Sequence, residues 1–163
     1  MFISQPTYDA LNKLLADNFQ MNSFCDNIAY NLGFKKMICT ESIFHEKFAH
    51  KFPVFADIIS TMMLEFEARP IRYALTENIN YYNDNVSMFQ DLKIKIQNYR
   101  NNILKTIEIA DLNNDIEIKI KLEDFLSKFT PYFSQVMTWA LRAEQYGLNE
   151  MIFDKDFEKF TTI

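Results

Sequence analysis

Residues 116–122 read IEIKIKL, and the fold class turns on how they are read. Apolar and polar residues alternate through the stretch, which is the pattern of a half-buried strand. Yet Ile118, Leu122, Phe125, Phe129, Phe133, Val136 and Ala140 recur at intervals of three and four, the stripe of an amphipathic helix. No other stretch offers itself as a partner strand, and an isolated strand is not stable in water. The spacing therefore predicts a helix over roughly 116–146, bent at Pro131 and ended by Gly147 just past its last turn. An all-α fold follows.

Working outward, the next element upstream is the most regular in the chain. Phe89, Leu92, Ile96, Tyr99, Ile103, Ile107 and Ala110 form one apolar stripe of a third helix, and Asn113, Asn114 and Asp115 make the turn after it. Leu11, Leu14, Leu15, Met21, Cys25, Ile28 and Leu32 mark a first helix from Thr7 to about Leu32, with Pro6 and Thr7 as its start signal and Gly33 as its stop. A second helix is predicted from near Thr40 to about Glu67, closed by Pro70 because the residue before a proline is pushed out of the α region. Residues 70–87, PIRYALTENINYYNDNVS, are rich in Asn and Tyr and keep no sustained period. They read as a long crossover with room for one short helix. Two helices, a crossover and two more helices make a ferritin-like four-helix bundle with one long crossover between helices 2 and 3. No repeat, low-complexity tract or linker interrupts the chain, so residues 1–163 read as a single ferritin-like domain.

Composition agrees with long helices and few turns. Among 163 residues there are only two glycines and four prolines, poor material for a sandwich or barrel. Sixteen Phe, eight Tyr and eight Met supply a bulky core. A net charge of −5 leaves no broad basic surface for nucleic acid. The start of the chain lacks a basic region followed by an apolar run, so no signal peptide is expected, and no window is apolar enough for a transmembrane helix. Cys25 and Cys39 stand in no metal-binding spacing and read as reduced thiols of a cytoplasmic protein.

The candidate site lies in FHEKFAHKFPVFAD, residues 44–57, which holds both histidines of the chain. On a regular helix Phe44, Phe48, Phe52, Phe55, Ile59, Met62 and Phe66 gather on the core side. Glu41 and His45, four apart, fall on or beside that side. Glu46, His50, Pro53 and Asp57 fall on a second stripe facing away, so the polar residues form two sets. A carboxylate and an imidazole one turn apart lie over the same patch of surface and can ligate one ion, with iron, manganese or zinc as suitable metals. The same spacing also describes a plain solvated stripe. For Glu41 the plain reading is a carboxylate favoured at a helix start by the dipole. No Glu-x-x-His pair occurs, which argues against a di-iron centre inside the bundle. No Ser or Cys stands in a nucleophile elbow, so a hydrolase has no support.

The chain as a whole resembles the mini-ferritins of the Dps type. LNKLLADNFQ (11–20) is similar to the opening of that family's first helix, and AYNLG (29–33) to its His-Trp-Asn stretch followed by Gly. FHEKF (44–48) looks like the start of its second helix, Ala56-Asp57 like the Asp of its Asp-x-x-x-Glu, and ARP (68–70) like that helix's end. IEIADLNNDIEIKIKLEDFLSKF (107–129) and WALRA (139–143) are similar to the passage from its third to its fourth helix and to its Trp-containing close.

The resemblance implies a hollow homo-oligomeric shell, usually of twelve subunits, that oxidises ferrous iron at sites shared between subunits and protects against oxidative stress. Of the ligand positions it implies, the first His falls on Ala29. The second falls on His45, or on Glu41 under a shorter loop. The Asp falls on Asp57 and the final Glu on Thr61. His50 and Glu46 are not ligand positions of that family but share a stripe with Asp57, so the expected metal ligands are His45, His50 and Asp57 of a relocated site, with Glu46 as an accessory carboxylate. With a pI of about 5.1 and ends without lysine-rich tails, no direct DNA binding is expected. An alternative expectation is a ferritin-like bundle without ferroxidase activity that serves as an oligomeric or protein-binding scaffold. In that reading Tyr73, Tyr81 and Tyr82 of the crossover supply an exposed contact surface; their plain reading, which we prefer, is local packing of the loop onto the bundle.

Overall fold

The computed structural model describes residues 1–163 and contains helices and no strands. Helix α1, Gln5–Phe34, begins where the Ser4 side chain accepts a hydrogen bond from the Thr7 amide and Pro6 occupies the first turn. Ser4 is itself held by Asp115, whose carboxylate accepts from the Ser4 hydroxyl at 2.6 Å and so ties the start of α1 to a turn more than a hundred residues away. Gly33, expected as the stop, lies inside α1. The left-handed residue that ends the helix is Lys36, at φ 63°, and the Met37 amide returns to the Leu32 carbonyl at 3.0 Å.

The second helical rod is not one regular helix. Helix α2, Ile38–Phe44, passes through a π-turn at His45–Ala49 into α3, Lys51–Glu65. The chain then turns at Glu67, φ 53°, so the rod closes before Pro70 is reached. From Phe66 to Asp84 the chain contains no helix, so the room left there for a short one is not used. Helix α4, Asn85–Leu112, starts at Asp84, whose carboxylate accepts from the Ser87 amide at 2.7 Å. The cap explains why this helix begins several residues before its apolar stripe.

Helix α5, Ile116–Tyr146, runs unbroken through Pro131 and ends at Gly147, whose φ of 53° suits a residue without a Cβ. The alternation in IEIKIKL resolves as helix: Ile118 is buried, while Ile116 and Ile120, which would share its face in a strand, are exposed. Two short elements follow that the sequence did not announce, α6 (Glu150–Asp156) and a 3₁₀ turn at Phe157–Phe160. They carry Phe153 and Phe157 onto Phe89 and Trp139, with the Trp139 and Phe157 rings stacked at 5.0 Å. The indole of Trp139 donates to the Thr161 hydroxyl, so its buried N–H has a partner.

Helix α1 packs against α3 and α4, and α4 against α5, around one continuous apolar core. The segment from Phe66 to Asp84, read from the sequence as a crossover, lies along another side of α1. Tyr8 donates to the Arg69 carbonyl and Asn12 accepts from the Ile71 amide. Gln20 exchanges two hydrogen bonds with the Thr76 backbone. Asn27 and Asn31 both donate to the Asn80 carbonyl, while Asn31 also accepts from the Tyr82 amide. Between Tyr8 and Lys35, α1 rises about 40 Å at about 1.5 Å per residue. Between Arg69 and Asn83 an extended chain reaches about 46 Å at about 3.3 Å per residue. The two lengths match, so an extended segment runs parallel to the helix for most of its length. Tyr82 is buried beneath this segment, as local packing of the loop onto the bundle requires, with its hydroxyl donating to Asp91, and that burial together with the carboxylate pushes the phenol pKa far up. Tyr73 and Tyr81 are exposed, against the expectation that they pack onto the bundle.

Candidate functional site

Whether the polar residues of 44–57 form one set or two depends on the geometry of the helix that carries them. At about 100° per residue, positions five apart stand about 140° apart around a helix axis. In the π-turn the His50 amide bonds the His45 carbonyl at 3.1 Å, five residues back. Closing the ring over five residues puts residue i+5 roughly where i+4 would stand. The two imidazoles therefore come together, with ring centroids 4.4 Å apart. The expected separation of His45 and His50 onto different stripes is corrected by this one local change of period.

The same turn keeps the core continuous. Phe44, Phe48 and Phe52 are all buried, with Phe48 packed on Phe44 at 5.3 Å, Phe52 at 5.5 Å and Trp139 at 5.4 Å. Pinned on its inner side by these rings, the rod presents the histidine pair outward on a rigid base.

His45 is half-buried and stands between two carboxylates. Glu41, one turn earlier on α2, lies 3.7 Å from its Nδ1, and Asp26 of α1 lies 4.0 Å from its Nε2. The two ring nitrogens thus face different partners on different helices. Asp26 could not have been found in the 44–57 stretch, because only the packing of α1 on the second rod brings it there. The neighbouring Cys25 thiol is buried, and burial with the Asp26 charge pushes its pKa well up, which keeps it protonated and inert. Cys39 is exposed and free.

Glu46 is exposed on the π-turn and makes no ion pair. Asp57, expected on the same stripe as His50, is about 10 Å of helix rise further along. It lines a groove of about 680 Å³ between α3 and α5, with Val54, Ile58, Met62 and Ile120 as the apolar part of the lining. Ala29, the position of the resembled family's first His, is buried on the core side of α1, and Thr61 is exposed in the α3–α5 groove. In their present rotamers no three His, Cys, Asp or Glu side chains converge on one point at ligand distance. No helix is long and apolar enough to cross a membrane.

No protein-family model matches this sequence, and no curated protein is significantly similar to it.

Proposed function

We propose that this chain is a Dps-like member of the ferritin family, with a ferritin-like four-helix bundle and one long crossover. In this reading it binds ferrous iron at the His45–His50 pair, promotes its oxidation, and stores the product in a hollow shell of its own copies. The observation that carries the reading is the juxtaposition of the only two histidines of the chain on the second helical rod, where the resemblance places a ligand. Iron is the substrate. Imidazole holds the ferrous ion and carboxylate donors favour the ferric one, and two ferrous ions reduce one peroxide, taking up two protons, to two waters. Glu46 and Asp57, both exposed, serve as accessory carboxylates that raise the local concentration of cations.

The test combines anaerobic ferrous titration, peroxide-driven oxidation followed by ferric absorbance, and sizing of the assembly by light scattering. Saturable ferrous binding and fast oxidation, both lost in His45→Ala/His50→Ala, are expected on an assembly much larger than one chain. Slow oxidation equal to that of free iron, unchanged by the double substitution, would defeat the reading.

A second reading, a bundle without ferroxidase activity that acts as an oligomeric or binding scaffold, is favoured by one observation. Two of the positions at which the resembled family keeps ligands hold Ala29 and Thr61, which offer no carboxylate or imidazole. A large oligomer with no iron chemistry is its signature.

A further inference from the structure

We propose that Asp26, His45 and His50 form a divalent transition-metal site contained within one chain, with Glu41 as its positioning residue and the π-turn as its builder. The proposal deepens the iron-handling reading and rests on it for the identity of the natural ion. It differs from what the resemblance implies, which is a site divided between two subunits.

The geometry assigns a distinct role to each group. Glu41 faces Nδ1 of His45 at 3.7 Å. A carboxylate on that side favours the tautomer with its proton on Nδ1, which leaves the Nε2 lone pair free to bind a metal. Nε2 is the nitrogen that faces Asp26, at 4.0 Å. Neighbouring donor atoms each about 2.0–2.2 Å from a shared ion lie roughly 3–3.6 Å apart, so the two side chains close by about half an ångström to share one. His50, with its ring 4.4 Å from that of His45 and its side chain exposed, is the third donor of the proposed site. Two imidazoles and one carboxylate suit a borderline divalent ion such as Fe²⁺, Co²⁺ or Zn²⁺ rather than the oxygen-seeking Ca²⁺ or Mg²⁺. Water completes the coordination, and the exposure of His50 makes the ion exchangeable, as an iron substrate in transit must be.

The π-turn is what makes this possible. With a regular helix through 45–49, His50 would face about 140° away from His45, and neither Asp26 nor Glu41 could share an ion with it. One residue fewer in the turn restores that arrangement. Lys47 is exposed and outside the core, so its deletion removes the extra residue with the least disturbance to Phe44 and Phe48.

The test is titration of the metal-free assembled protein with Co²⁺, followed by its visible ligand-field absorption and by competition with Zn²⁺. One Co²⁺ per chain is expected, with bands typical of mixed nitrogen and oxygen donors. His50→Ala and Asp26→Asn should abolish or greatly weaken binding. Glu41→Gln should lower affinity roughly 10–100-fold and shift the bands, and Glu41→Asp should restore part of the loss. Circular dichroism and thermal melts of each variant show that the fold is intact, and the substitutions keep the question open to refutation even if the Lys47 deletion does not fold. Absence of Co²⁺ binding, or binding unchanged by both Asp26→Asn and His50→Ala, would overturn the proposal. Iron oxidation measured on the same samples separates the two readings. Oxidation that survives Asp26→Asn removes this site and leaves iron handling standing, whereas Co²⁺ binding at these residues without iron oxidation leaves the site and removes the iron reading.

Discussion

Helices α1 and α5 are nearly equal in length and share one core, yet they are buried in different ways. Helix α5 has a single buried stripe, from Ile118 to Ala143, and its outer face carries Glu123, Asp124, Ser127 and Lys128 in solvent. Helix α1 is covered on two sides. Leu11, Leu14, Leu15, Ile28 and Leu32 meet the core, while Asn12, Asn27 and Asn31, all buried, meet the crossover. Apolar side chains bury against other side chains, whose positions they do not individually dictate. Buried amides must find donors and acceptors, and here the Asn12 oxygen and the amides of Asn27 and Asn31 find the backbone of a segment with no helix or strand of its own. Asparagines repeated along one face of a helix mark a place where extended chain is laid against it.

The sharpest way to break this comparison is to attack the shared core first. Phe48→Ala removes a fully buried ring wedged among Phe44, Phe52 and Trp139, and should cost about 3–5 kcal/mol in urea unfolding. A loss below about 1 kcal/mol would mean that the aromatic cluster is not a packed core.

The next experiment separates the two faces of α1. Asn31→Ala leaves the buried Tyr82 amide without its partner and the Asn80 carbonyl with Asn27 alone, at roughly 1–3 kcal/mol. Hydrogen exchange should accelerate at Tyr82 while the amides of α5 keep their protection. Uniform acceleration throughout the chain would show that the crossover and the core unfold as one unit.

A smaller effect tests how the crossover ends. Asp84→Ala removes the cap on α4 and should cost about 1 kcal/mol. Hydrogen bonds from the Ser87 backbone and side chain hold the Asp84 pKa below its ordinary 3.8. The folded value is depressed, so the cap's contribution is complete above the unfolded pKa and fades as pH falls through the folded one. The gap between wild type and Asp84→Ala should therefore be constant from neutral pH down to about 5 and close below pH 3.8. A gap that persists at pH 2 would point to packing rather than capping.

The smallest effect is expected on the outer face of α5. Ile120→Lys, at an exposed position, should change stability by no more than about 0.5 kcal/mol. A large loss would mean that the groove beside Asp57 is closed in solution by another surface.

The long helices were legible in the sequence because each carries its own period. The α5 stripe from Ile118 to Ala140 decided against a strand, and the structure places its start and end at residues 116 and 146. The crossover's path was not legible, since its register belongs to Asn12, Gln20, Asn27 and Asn31 on another helix. Helix α6 is too short to show a period, and its Phe153 and Phe157 reveal their role only against Trp139. Of the candidate site, His45 and His50 could be named from the sequence, but a uniform helical wheel set them on different faces. The extra residue of a π-turn leaves no composition signal, and Asp26 enters only through tertiary packing. Gly33 and Lys36 teach the same lesson at smaller scale: the glycine was the natural stop, yet Lys36 takes the left-handed conformation.

The most direct measurement is anomalous diffraction at the iron edge from crystals soaked anaerobically in ferrous salt. The account predicts a peak within ligand distance of both His45 and His50. A well-occupied peak confined to the groove beside Asp57, or none in the chain, would contradict it.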